Sequence, residues 1–78
     1  MKEIRALCDI NPGESVTVKE LLTQGSMRRR LIDIGLIENT EVKCIGRSPC
    51  GDPSAYMIRG AVIAIRREDS SSILVSAM

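Results

Sequence analysis

The sequence predicts a mainly β fold, a small barrel of about five short strands with one short helix, and three observations predict it. Apolar and polar residues alternate in short runs, as in residues 15–22 and 41–44, the period-two pattern of half-buried strands. Turn signals separate the runs, among them Pro12-Gly13 and Asn39-Thr40. The apolar content is Ile, Val, Leu, Ala and Met, with Tyr56 the only aromatic residue, and such a β-branched-rich set favours strands. A chain of 78 residues makes one domain, residues 1–78, and buries only about 60% of the surface its unfolded form exposes.

Leu7 and Ile10 have the spacing of one helical turn ending at Asn11, and Pro12-Gly13 then turns the chain. In SVTVKELL, Val16 and Val18 followed by Glu20 or Leu22 share one face, with Thr17 and Lys19 on the other; this is the first expected strand.

GSMRRRLIDIGL changes period. Met27, Leu31 and Ile34 fall on one helical face while Arg28, Arg29 and Asp33 turn outward. Ser26 suits the N-cap. Gly35 suits a left-handed C′ residue, which lets Leu36 touch Leu31 as in a Schellman motif. Arg29 and Asp33 are spaced to pair across the exposed face, in the less favourable order of charges.

The alternation restarts after Asn39, which tolerates positive φ, with Val42 and Cys44 on the core face and Glu41 and Lys43 outside. SAYMIRG and AVIAIRR form two strands meeting near Arg59-Gly60-Ala61, REDSSS a turn or single helical turn, and SSILVSA a last strand with Ile73 and Val75 on one face. Pairing among Arg66, Arg67, Glu68 and Asp69 is expected across that turn. Short strands need their edges covered, and barrel closure does so; the expected architecture is SH3-like.

Composition excludes several function classes. Eleven basic and ten acidic side chains leave a formal charge of +1, so no global field attracts nucleic acid. Three cysteines without CxxC spacing, and no histidine, argue against a disulfide framework and a zinc site and for reduced thiols. No apolar run approaches the roughly 18 residues of a membrane span, and Lys2, Glu3 and Arg5 occupy an amino terminus with no signal-peptide core. A cytoplasmic chain is expected.

In order and spacing, RLIDIGLIENTEV, SPCGDPSAYMIRG, IAIRRED and the terminal ILV resemble the ferrous iron transport protein A (FeoA) family, from about Leu7 to Val75. Ile34, Glu38-Asn39, Cys50 and Ile65 depart from its usual residues; the first and last conserve volume, whereas Cys50 replaces an apolar tip with a thiol. The resemblance implies an SH3-like barrel without enzymatic activity, and no cofactor is expected. It implies a cytosolic accessory that binds or regulates ferrous iron transport protein B, a membrane protein with a cytoplasmic GTP-binding domain.

Two segments are candidate contacts for such a partner: Arg28, Arg29 and Arg30 on the helix, and Cys50, Gly51 and Asp52 in the turn. A nucleophilic cysteine needs a base or cation beside it, and Arg47 is the one nearby candidate. A metal site from Cys44, Cys50 and Asp52 requires Cys44 to leave the core face. The simplest reading is a rigid corner, with Pro49 and Pro53 fixing φ, Gly51 permissive and Asp52 capping a backbone donor. The arginines make a solvated face or a contact for an acidic surface, with Arg30 free to lay its stem along the barrel. A nucleic-acid-binding barrel and a metal-responsive one remain as alternatives. The first lacks the aromatic platforms usual for single strands. Self-association through Cys50 in air is a further expectation.

Overall fold

The computed structural model describes residues 3–78; Met1 and Lys2, the latter part of the charged amino terminus, lie outside them. The described residues form six strands, one more than expected: β1 (Ile4–Ala6), β2 (Ser15–Leu21), β3 (Glu41–Arg47), β4 (Ser54–Ile58), β5 (Ala61–Ile65) and β6 (Ile73–Ala77). They make one sheet in the order β1-β6-β2-β3-β4-β5, every pair antiparallel. A 3₁₀ turn (Leu7–Asp9) follows β1, helix α1 (Gly25–Asp33) joins β2 to β3, and the single-turn α2 (Arg67–Ser70) joins β5 to β6.

The period-two reading holds where ladders are regular. In β3, Val42 and Cys44 are buried between exposed Glu41 and Lys43. Strand β2 departs from it. Its register with β6 shifts between Val18 and Glu20, and a bulge reverses the phase of the strand beyond it. Leu21 therefore packs against the core, while Glu20 and Leu22 are exposed. Closure also differs from expectation: β1 and β5 are not paired with one another and remain the two edges of the sheet.

Fully buried Leu7, Ile10, Val16, Val18, Leu36, Val42, Ile73 and Val75 make the core with Tyr56 and Ile58. Burying an aliphatic side chain of this size contributes about 1.5–3 kcal/mol. Helix α1 adds Leu31, with Met27 and Ile34 packed beside it. The amide of Leu36 donates to the carbonyl of Leu31 and that of Gly35 to Ile32, each at 3.0 Å, with Gly35 at φ +104°. Those are the two bonds of the Schellman motif. The other end differs from expectation. Gln24 occupies the N-cap without a side-chain capping bond, and the chain enters through Gly25 at φ +70°, which leaves Ser26 inside the first turn.

Candidate docking surface

Arg28, Arg29 and Arg30 are all exposed on α1. Arg28 Nη1 donates to the carbonyl of Leu21 at 2.8 Å, tying the helix to the end of β2. Ion pairs among the described residues join Arg5 to Glu3 and to Glu14; the expected pairs of Arg29 with Asp33 and of Arg66 and Arg67 with Glu68 and Asp69 do not form. At (i, i+4) with the acid C-terminal, Arg29 and Asp33 gain too little to hold two exposed side chains together.

Apolar surface lies beside these cations. Ile32 is 38% exposed, and Ile37 stands near it at 41%. Ile32, Ile37 and Arg28 line a shallow groove against Lys19 and Glu20 of β2. Arg30 points the other way, into a groove between α1 and β5 lined by Met27, Leu31, Ile34 and Ile63. The three arginines thus serve two faces of the helix.

The Cys50-Gly51-Asp52 turn is held by its own backbone. The Gly51 amide donates to the Ser48 carbonyl at 2.8 Å and the Ser48 amide to the Pro53 carbonyl at 3.1 Å; Ser48 Oγ donates to the Asp52 carbonyl at 2.8 Å. Gly51 takes φ +89° and the Asp52–Pro53 bond is cis. Asp52 Oδ1 accepts from the amide of Arg67, the first residue of α2, at 2.8 Å. Cys50 is exposed at the tip, whereas Cys44 is fully buried. Among the described residues no three Cys, Asp or Glu side chains converge as metal ligands, and the chain offers Cys50 no histidine as a base. Arg47, the one candidate cation for that thiol, donates from Nη2 to the carbonyl of Ile10 at 2.7 Å. Tyr56 is 1% exposed, so its ring gives nucleic-acid bases no face to stack on. No described helix is long and apolar enough to cross a membrane.

Sequence reasoning missed the acidic anchor of the amino-terminal strand. Glu14 accepts from Arg5 and, at 3.0 Å, from the amide of Asn11. These bonds, Arg5 foremost, hold its carboxyl below the usual range, against a smaller opposing effect of burial. The nine-residue separation of Arg5 and Glu14 falls in no local pairing pattern, so only the fold reveals it.

A relative among characterised proteins is the Fe(2+) transport protein A/Fe(2+) transporter FeoB fusion protein of Porphyromonas gingivalis, 25% identical over 69 residues. That match takes 88% of this chain and 8% of the fusion, so the chain spans a small part of that relative. The NMR structure of a FeoA-like protein from Clostridium acetobutylicum superposes with a TM-score of 0.89 at 28% identity, covering 100% of this chain and 91% of that one. The zinc-complexed FeoA of Stenotrophomonas maltophilia, described as a prokaryotic SH3 domain protein, gives 0.80 at 20% identity over 90% and 87% of the two chains. That last likeness concerns the fold, and it makes the half-open sheet an SH3-like barrel. The FeoA domain pattern matches residues 5–77, nearly the whole chain, and the chain belongs to the FeoA domain family.

Proposed function

We propose that this protein is a non-enzymatic accessory that docks on the cytoplasmic portion of a ferrous iron transporter and regulates it. Family membership supports the link to ferrous iron, and the fusion of protein A to the transporter FeoB in Porphyromonas gingivalis supports the choice of partner. The observation that carries the docking mode is the surface of α1, where, among the described residues, Arg28 and Arg29 have no carboxylate partner and lie beside exposed Ile32. The first turn of α1 contains no acidic residue and includes Arg28, although the positive end of a helix disfavours cations. An acidic surface on the transporter would offset that repulsion, and the apolar side chains would supply buried area at the centre of the contact. The exposed tip of the Cys50-Gly51-Asp52 turn is the second proposed contact, and Arg30, on the face of α1 turned toward β5, is a further one.

The test is retention of the transporter's cytoplasmic domain by immobilised protein in reducing buffer. Arg29→Glu is the cleaner variant, since Arg28 also bonds the Leu21 carbonyl. Binding that weakens in Arg29→Glu and falls further in Arg28→Glu/Arg29→Glu, with cooperative melting kept, supports this face. Binding that survives both moves the contact to the turn. Failure of the wild type to bind at low salt overturns the reading.

A further inference from the structure

Proteins usually protect the edges of a sheet, because unpaired amide and carbonyl groups there are a template for another strand. The two edges here are treated differently. Strand β1 is three residues long and carries Arg5, held by Glu14. Strand β5 reads Ala-Val-Ile-Ala-Ile, five residues with no proline and no charge, and its register with β4 has no bulge. Ladders β2–β6 and β3–β4 are both interrupted. The longer, regular, apolar edge is therefore the one without such protection.

Its free groups follow from the turn. Arg59 and Gly60 both take positive φ, at 49° and 84°, between the paired residues Ile58 and Ala61. In such a two-residue loop the flanking pair exchanges hydrogen bonds, and bonded and non-bonded pairs then alternate. Ala61, Ile63 and Ile65 are the residues bonded to β4, so Val62 and Ala64 turn their amides and carbonyls to the open edge. Val62 is 57% exposed. Beyond that edge lies the groove walled by Met27, Leu31 and Ile34 of α1.

We infer that β5 accepts an extended peptide of a partner as a seventh strand, with apolar side chains at alternate positions entering the α1–β5 groove and carboxylates at the flanks. Main-chain bonds to Val62 and Ala64 supply affinity and the groove supplies selectivity, as in other strand additions. Charge selects the occupant. Arg59 precedes the strand, Arg66 and Arg67 follow it, and Arg30 stands on the groove wall; no carboxylate pairs with any of them among the described residues. Glu68 and Asp69 at the far end offset only part of that charge. The same arginines disfavour a second copy. A two-fold centred on Ile63 would bring the Arg66-Arg67 end of β5 in one copy toward Arg59 of the other, twice, and like charges gathered at both ends of such a pairing repel.

The probes are acetylated, amidated nonapeptides with Val, Ile or Leu at alternate central positions and Asp and Glu at both ends, beside a matched set with lysine ends. They are titrated into the full chain and followed by amide NMR. The acidic set should shift the amides of Val62 and Ala64 and the methyl groups of Met27 and Ile34, and the lysine set should bind at least about tenfold more weakly. Ala64→Pro removes an edge amide without touching the β4 ladder, and should abolish binding while the other amide positions persist. Arg66→Glu should weaken the acidic set alone. The inference is overturned if no acidic peptide moves the edge amides, if Ala64→Pro binds as well as wild type, or if the edge amides report concentration-dependent pairing of two copies.

Discussion

A Cβ placed on Gly35 would come within 2.7 Å of Cδ and 3.1 Å of Nε of Arg59, so the turn between β4 and β5 lies against the end of α1. Two costs would meet in Gly35→Ala: the side chain at φ +104° and the contact with Arg59. A long exposed side chain can swing aside, so the backbone cost should dominate. Gly35→Ala is expected to lose about 1–2 kcal/mol, read as a fall of roughly 4–16 °C in melting temperature. In an Arg59→Ala background the loss should shrink only slightly; its disappearance would make the contact the larger cause.

The Arg5–Glu14 pair makes stability depend on acid. Glu14 titrates lower in the folded protein than in the unfolded chain, so its contribution is fully present above the unfolded carboxylate range. It is lost as pH falls through the folded value, because the unfolded chain then binds the extra proton. Urea midpoints measured from neutral pH downward should fall less steeply for Glu14→Gln than for wild type, and the two should converge once Glu14 is protonated. Parallel curves across the range would remove Glu14 from the acid response.

The three thiols should separate by reactivity. Cys50 is exposed, whereas Cys44 is fully buried and Cys8 nearly so. Burial, with the negative charge of Asp9 beside it, pushes the Cys8 thiol up, lowering the fraction of reactive thiolate. Brief treatment with iodoacetamide should modify Cys50 alone, and unfolding should release the other two. Rapid labelling of Cys44 in the native state would mean that the core opens there.

What the sequence revealed, and what it hid, divides by the range of the interactions. Strand β3 was legible from Val42 and Cys44, and the end of α1 from Gly35 and Leu36, because each is fixed by residues a few positions apart. Strand β1 was not: Ile4 is 52% exposed, and the segment is a strand because β6 offers it an edge. The reversal at Leu21 arises from a bulge against β6, and the missing Ser26 cap from a glycine that turns the chain one residue earlier. Of the candidate site, the turn at 48–53 followed from its prolines and glycine, while the division of the arginines between two faces depends on where β2 and β5 lie. The edge of β5 was hidden by the expectation of a closed barrel.

The bond from the Arg67 amide to Asp52 Oδ1 has a consequence for the candidate turn. Helix α2 is four residues long and its N-cap residue, Arg66, makes no side-chain cap, so Asp52 acts as the cap from 15 positions away. Losing a capping side chain costs about 0.5–2 kcal/mol, and Asp52→Ala should fall in that range. Asp52→Asn keeps an oxygen acceptor and should cost less, while removing the negative charge near the positive end of α2. Amide exchange of Arg67 separates a local effect from a global one: it should quicken in Asp52→Ala well before exchange in β3 changes. If Asp52→Asn also weakens retention of the transporter domain while Arg67 exchange stays near wild type, the carboxylate contacts the partner as well as the helix. If binding follows the exchange rate across both variants, Asp52 acts on the partner only by holding the turn in place.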